Sequence, residues 1–131
     1  MTATITTAPA TPLLRTALKL DGYATLPSGV LLAALAGMLD GPLGIPTGVL
    51  LGAGLFFVAW GAAVLYAGTR PTINRRAAGA IATINLVCAL DAVLIAALGI
   101  GDLTTLGTTL LLVLAAGVAG IGGLQFLGLR R

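Results

Sequence analysis

No histidine and no glutamate occur in this sequence of 131 residues, and cysteine occurs once, at Cys88. A lone cysteine excludes an intrachain disulfide and every paired-thiol redox reaction. Without histidine, a zinc or iron site would have to be built from aspartate and carbonyl oxygens, donors that neither metal favours. Charge is scarce as well: 8% of residues are charged, where soluble domains run near a quarter. The only acids are Asp21, Asp40, Asp91 and Asp102. No nucleophile–base pair, phosphate loop or carboxylate pair at catalytic spacing can be assembled from this inventory, so the expectation is a non-enzymatic protein without metal or cofactor.

What the chain has in quantity is apolar surface. It is 58% hydrophobic with a mean hydropathy of +1.09, the balance of a membrane protein. Four apolar runs, at residues 18–39, 48–67, 77–98 and 104–127, each approach the roughly 20 residues that a helix needs to cross hydrocarbon. Backbone groups in lipid must be satisfied within the segment, and no barrel-like alternation is present, so the runs predict transmembrane helices. The expected fold is all-α: a polytopic, up-down bundle of four transmembrane helices occupying residues 12–131. Residues 1–11 (MTATITTAPAT) lack the basic start of a cleaved leader and read as a flexible tail. Pro12 to Lys19 suits a short interfacial helix, the connections are punctuated by Asp40-Gly41-Pro42, Thr69 to Asn74 and Gly99 to Asp102, and Pro27 should kink the first span.

Charge sets the expected orientation. Arg15 and Lys19 precede the first span, Arg70, Arg75 and Arg76 lie between the second and third, and Arg130 and Arg131 follow the fourth. The two opposite connections carry only Asp40 and Asp102. Positive-inside reasoning then predicts a multi-pass protein of the cell (inner or plasma) membrane with both termini cytoplasmic. The pI near 9.8 follows from this topology and not from a nucleic-acid surface, since no basic patch with interleaved aromatics exists. An internal repeat is also visible: Val30-Leu31-Leu32-Ala33-Ala34-Leu35 before Asp40 matches Val93-Leu94-Ile95-Ala96-Ala97-Leu98 before Asp102. It suggests two helical hairpins in the same orientation, related about the membrane normal.

Candidate functional residues follow from depth and helical spacing. Asp91 lies near the expected midplane, where an unsheltered aspartate costs about 2.5–3.5 kcal/mol on the insertion scale. Asp21, Thr25 and Ser28 share one face of the first helix, and the repeat aligns Ser28 with Asp91. These four are the candidate ligand- or proton-binding residues, with Asp91 expected to be sheltered by that polar stripe. A buried hydrogen bond that only fixes helix register is the alternative for Asp91. Asp21 has the alternative of an interfacial ion pair with Lys19 or Arg15. Asn85 shares a small-residue face with Ala78, Ala89, Ala92 and Ala96, and Gly44, Gly48 and Gly52 make consecutive GxxxG steps, so Asn85, Gly48 and Gly52 are helix-packing candidates. Gln125 and Arg75 are candidates for a cytoplasm-facing vestibule. Cys88 is expected to be a small buried hydrophobe.

Arg15 with Leu20-Asp21, Leu43-Gly44-Ile45-Pro46, Asn85, and the closing run Gln125-Phe126-Leu127-Gly128-Leu129-Arg130-Arg131 together resemble small bacterial four-helix integral membrane proteins of the DoxX-like kind. The resemblance covers most of the chain through short motifs; it implies the four-helix membrane fold and little about activity. Four slender Gly/Ala-rich helices leave little expected internal volume. The primary functional expectation is therefore an assembly, accessory or self-associating bundle, partnered by membrane lipid and by further copies or a larger membrane complex. The alternative is a small transporter or lipophile-binding protein using Asp91.

Overall fold

The computed structural model describes residues 12–99 and 101–130; the predicted tail at residues 1–11 lies outside them. Four helices run Pro12–Leu43 (α1), Thr47–Thr69 (α2), Arg75–Leu98 (α3) and Thr105–Arg130 (α4), with no strand among the described residues. All four are long and apolar enough to cross a bilayer, with mean hydropathies of 1.5 to 2.3 over their most apolar stretches. The chain is a multi-pass membrane protein with an all-α four-helix fold. Its surface has the corresponding polarity: Met38, Leu98 and Val113 are 62–73% exposed, whereas Asp21, Asn85 and Gln125 are buried. Apolar side chains outside and polar ones inside suit a lipid solvent.

Two boundaries differ from the sequence expectation. Pro12 to Lys19 is not a separate interfacial helix but the first turns of α1, and α1 continues through Pro27 without interruption. The missing Pro27 N–H removes one ladder bond, and the Ser28 hydroxyl donates to the Ala24 carbonyl beside it at 2.6 Å. Asp40-Gly41-Pro42 belongs to the last turn of α1 and is not the turn itself. The reversal falls at Gly44, whose φ of +70° is the left-handed conformation that glycine adopts without strain. Gly44 and Ile45 N–H groups both return to the Asp40 carbonyl, and the Thr47 hydroxyl donates to the Asp40 carboxylate at 2.8 Å.

The helices pack closely because their contact faces are nearly bare. On α1, Gly22 and Gly29 face α2; on α2, Gly54, Gly61 and Gly68 recur at seven-residue intervals and face α1. A methyl group at Gly29 would stand 2.6 Å from the Gly54 carbonyl oxygen, and one at Gly61 2.7 Å from the Leu26 nitrogen. Without a hydrophobic drive between helices in lipid, this backbone proximity supplies the van der Waals contact that holds the hairpin. The packing candidates Gly48 and Gly52 are on the wrong side of α2. Both are exposed and a side chain at either would meet nothing within 4 Å, because the α1-facing stripe runs through Leu50, Gly54 and Gly61.

Helix α4 meets α1 at both ends. Gly107 lies against the Leu43 carbonyl and Gly128 against the Leu14 backbone. The Thr104 hydroxyl donates to the Pro42 carbonyl at 2.6 Å and accepts from Gly107 N–H, so it ties α1 while capping α4. Asn74 caps α3 by accepting from the Arg76 and Ala77 amides. Arg15 does not pair with Asp21. Its guanidinium donates to the Gly68, Arg70 and Pro71 carbonyls, closing off the negative end of the α2 dipole. Arg75 likewise donates to the Leu129 carbonyl, clamping the start of α3 to the end of α4.

The spatial order is therefore α2, α1, α4, α3. Helices α1 and α2, α1 and α4, and α3 and α4 are packed together, while α2 and α3 barely touch. Hairpins related by a twofold axis would make the α2–α3 contact equal to the α1–α4 contact. The repeated sequence is not matched by repeated packing. Leu14, Leu18, Val64, Ile73, Ala78 and Ile81 fill the arginine-bearing end, and away from that end the gap between α2 and α3 opens into a cleft.

Candidate functional site

Three helices each contribute one buried polar side chain at the same level. Asp21 comes from α1, Asn85 from α3 and Gln125 from α4, with exposures of 4%, 5% and 0%. Asn85 Nδ2 donates to Asp21 Oδ2 at 2.7 Å and to Gln125 Oε1 at 3.0 Å. Gln125 Nε2 donates to the same Asp21 Oδ2 at 3.0 Å, and the Thr25 hydroxyl donates to Asp21 Oδ1 at 3.0 Å. Asp21 thus receives three donors and gives none, the pattern of an acceptor-only carboxylate. Among the described residues no fully buried side-chain nitrogen or oxygen lacks a partner.

Local sequence explains how the three side chains can meet. Ala82 and Ala89, one turn either side of Asn85, are buried, and Gly122 stands nearly one turn before Gln125, with Leu86 and the Ala82 carbonyl where its side chain would be. Small neighbours let α3 and α4 approach until two short amides reach across the seam. On α1, Gly22 follows Asp21 and serves the α2 contact, leaving Asp21 to point at the other pair. One carboxylate thus joins the α1–α2 hairpin to the α3–α4 hairpin.

Asp21, Asn85 and Gln125 each stand out in the sequence, but for three different purposes. The structure unites them and corrects the rest. Gln125 is fully buried in the network and Arg75 is engaged at the helix end, so the two do not border a common vestibule. Thr25 contacts Asp21. Ser28 is exposed and bonds only to its own helix.

Asp91 is the largest correction. It is exposed on the outer surface of the chain, and its carboxyl meets no hydrogen-bond donor among the described residues. The buried stripe of α3 runs through Ala78, Ile81, Ala82, Asn85 and Ala89, and Asp91 lies roughly 160° round the helix from Ala89. Nor is it central. The helix ends at Leu98, which puts Asp91 only about 10 Å from that end. Cys88 is also exposed, contrary to expectation.

Internal space is larger than the slender helices suggest. A cleft of about 240 Å³ lies between α2 and α3, with Asp21, Thr25, Ser28 and Asn85 on one side and Phe56, Phe57 and Trp60 on the other. It shares Phe57, Leu111 and Leu114 with a wider apolar cleft of about 910 Å³ at the Asp40/Asp102 end. Among the described residues no three histidine, cysteine or acidic side chains cluster as a metal site would require. The arrangement can hold helices and accept hydrogen bonds. Comparison with protein-family models, with curated proteins and with solved structures gave no match.

Proposed function

We propose that this chain is a non-enzymatic, self-associating component of the cell membrane, both termini in the cytoplasm, whose copies meet through the α3 face that carries Asp91. The observation that supports the reading is the contrast between two intramembrane carboxyls. Asp21 is enclosed by three donors, whereas Asp91 is bare on an otherwise apolar surface. Left in hydrocarbon, such a group is costly, about 2.5–3.5 kcal/mol at a helix centre and less toward its end, and a second copy that covers it lowers that cost. The orientation rests on charge: the described basic residues Arg15, Lys19, Arg70, Arg75, Arg76 and Arg130 share one end of the bundle, with Asp40 and Asp102 at the other.

The protein contains its own probe. Cys88 is the sole cysteine, exposed one turn before Asp91 and about 60° from it around the helix. Oxidation in native membranes is expected to give a disulfide-linked dimer through Cys88, and Asp91→Leu, which leaves the surface wholly apolar, is expected to lower its yield severalfold. A chain that stays monomeric in membranes and mild detergent, with no cross-link, contradicts the proposal. Cross-linking to a different protein would place Asp91 in a larger complex instead.

A further inference from the structure

Hydrogen-bond capacity on the α1 and α3 side of the narrow cleft points to one ligand chemistry. Its donors are spent within the chain: the Thr25 hydroxyl on Asp21 Oδ1, the Ser28 hydroxyl on the Ala24 carbonyl, and both Asn85 amide hydrogens on Asp21 and Gln125. What remains toward the cleft is acceptor capacity. The Thr25 and Ser28 oxygens keep lone pairs, and Asn85, its two amide hydrogens committed, has only its oxygen left to offer. The Asp21 carboxylate stands behind them. Across the space, Phe56 is stacked on Trp60 with centroids 6.0 Å apart, and Phe57 lies 6.1 Å from Phe56. No lysine or arginine lines either cleft.

Acceptors and negative charge on one wall, aromatic rings on the other and no resident cation complement a protonated amine. The wider cleft, continuous with the first through Phe57, Leu111 and Leu114, complements a hydrocarbon tail. We infer that the α2–α3 cleft binds a lipophilic amine, its ammonium head among Thr25, Ser28 and Asn85 beside Asp21 and its chain extended toward the Asp40/Asp102 end. The site is built from the residues of one chain, and Cys88, on the α3 face proposed for association, lines its edge.

Trp60 is the only tryptophan and lines the cleft, so its fluorescence reports occupancy. The full chain in phosphatidylcholine nanodiscs would be titrated with dodecylamine, dodecanol and dodecanoate, which share a tail and differ in head. The expected result is a saturable change with dodecylamine at least about tenfold tighter than with dodecanol, the scale of one charge-assisted hydrogen bond. Dodecanoate should give no saturable change. Ser28→Phe, or Ala92→Phe from the α3 side, fills the cleft without touching the buried network and should abolish the change; Asp21→Asn should remove the preference for the amine. Equal, non-saturating responses to all three amphiphiles would overturn the inference, as would tightest binding of dodecanoate. So would amine binding that survives both phenylalanine substitutions.

Discussion

Gly54→Ala should destabilise the protein by about 2–3 kcal/mol, the upper range for an overpacked interior, although it adds a single methyl group. That methyl would stand 2.6 Å from the Ala33 nitrogen and 2.8 Å from the Gly29 carbonyl oxygen. Both are helical backbone atoms that cannot swing aside as a flexible side chain would. The α1–α2 hairpin must part to admit it, and the close packing along the whole seam, through Gly61 and Gly68, loosens with it. Gly29→Ala meets Gly54 from the opposite side and should behave alike, so the pair should be non-additive. Gly48→Ala and Gly52→Ala are the controls. Nothing lies within 4 Å of a side chain at either position, and each should be neutral or stabilising by up to about 1 kcal/mol, because alanine is the better helix former. Unfolding by sodium dodecyl sulfate in mixed micelles, followed by Trp60 fluorescence, measures all four. Equal losses at Gly48 and Gly54 would mean that α2 is rotated from the orientation described.

Asn85→Leu should be the most damaging single change in the polar network, at about 2 kcal/mol, because it removes a donor from Asp21 and another from Gln125 while both stay buried. Interhelical polar contacts in membranes average only ~0.6 kcal/mol, since unpaired groups find other partners in the separated helices. Here the enclosure of the carboxylate raises the cost, because a 4%-exposed Asp21 has no solvent to turn to. The converse is the more discriminating result. Replacing Asp21, Asn85 and Gln125 together by leucine deprives only the half-buried Thr25 hydroxyl of its partner, a group that can turn to a carbonyl of its own helix, and apolar substitution of a buried polar cluster is often neutral or favourable. The triple variant should therefore be no less stable than Asn85→Leu alone. What it should lose is the specificity with which the two hairpins dock, visible as broadened resonances in the α3 and α4 amide spectra. Additive losses at the three positions would mean that they are not one network.

The four crossings were legible because lipid leaves little freedom. A run of about 20 apolar residues has one way to satisfy its backbone, and glycine and proline mark its limits. The buried residues were legible only as a type. Asp21, Asn85 and Gln125 stood out as polar groups in apolar runs, but helix rotation decides which of them meet, and a hydrophobic pattern that is apolar all round carries almost no rotational signal. Depth was the usable clue. Asp21 lies about 9 Å beyond Arg15, and Gln125 about 8 Å before Arg130, at 1.5 Å per residue. These positions share one half of the bundle. The internal repeat drew attention instead to Ser28 with Asp91, two residues that are both exposed. Glycines misled in the same way: Gly44-Gly48-Gly52 has the more familiar spacing, yet the packing uses the seven-residue series Gly54, Gly61 and Gly68, which suits two helices that stay together over their length. The open seam between α2 and α3 was not legible at all, since no local feature of either helix says that it lacks a neighbour.

The central claim is that the two intramembrane carboxyls face opposite ways, Asp21 into the bundle and Asp91 out of it. A lipid-soluble carbodiimide attacks carboxyl groups that can be reached from the apolar phase, and peptide mass analysis locates the adduct. In the chain dispersed as single copies in detergent, the adduct is expected on Asp91 with Asp21 spared. An adduct on Asp21 with Asp91 untouched would contradict the account at its root.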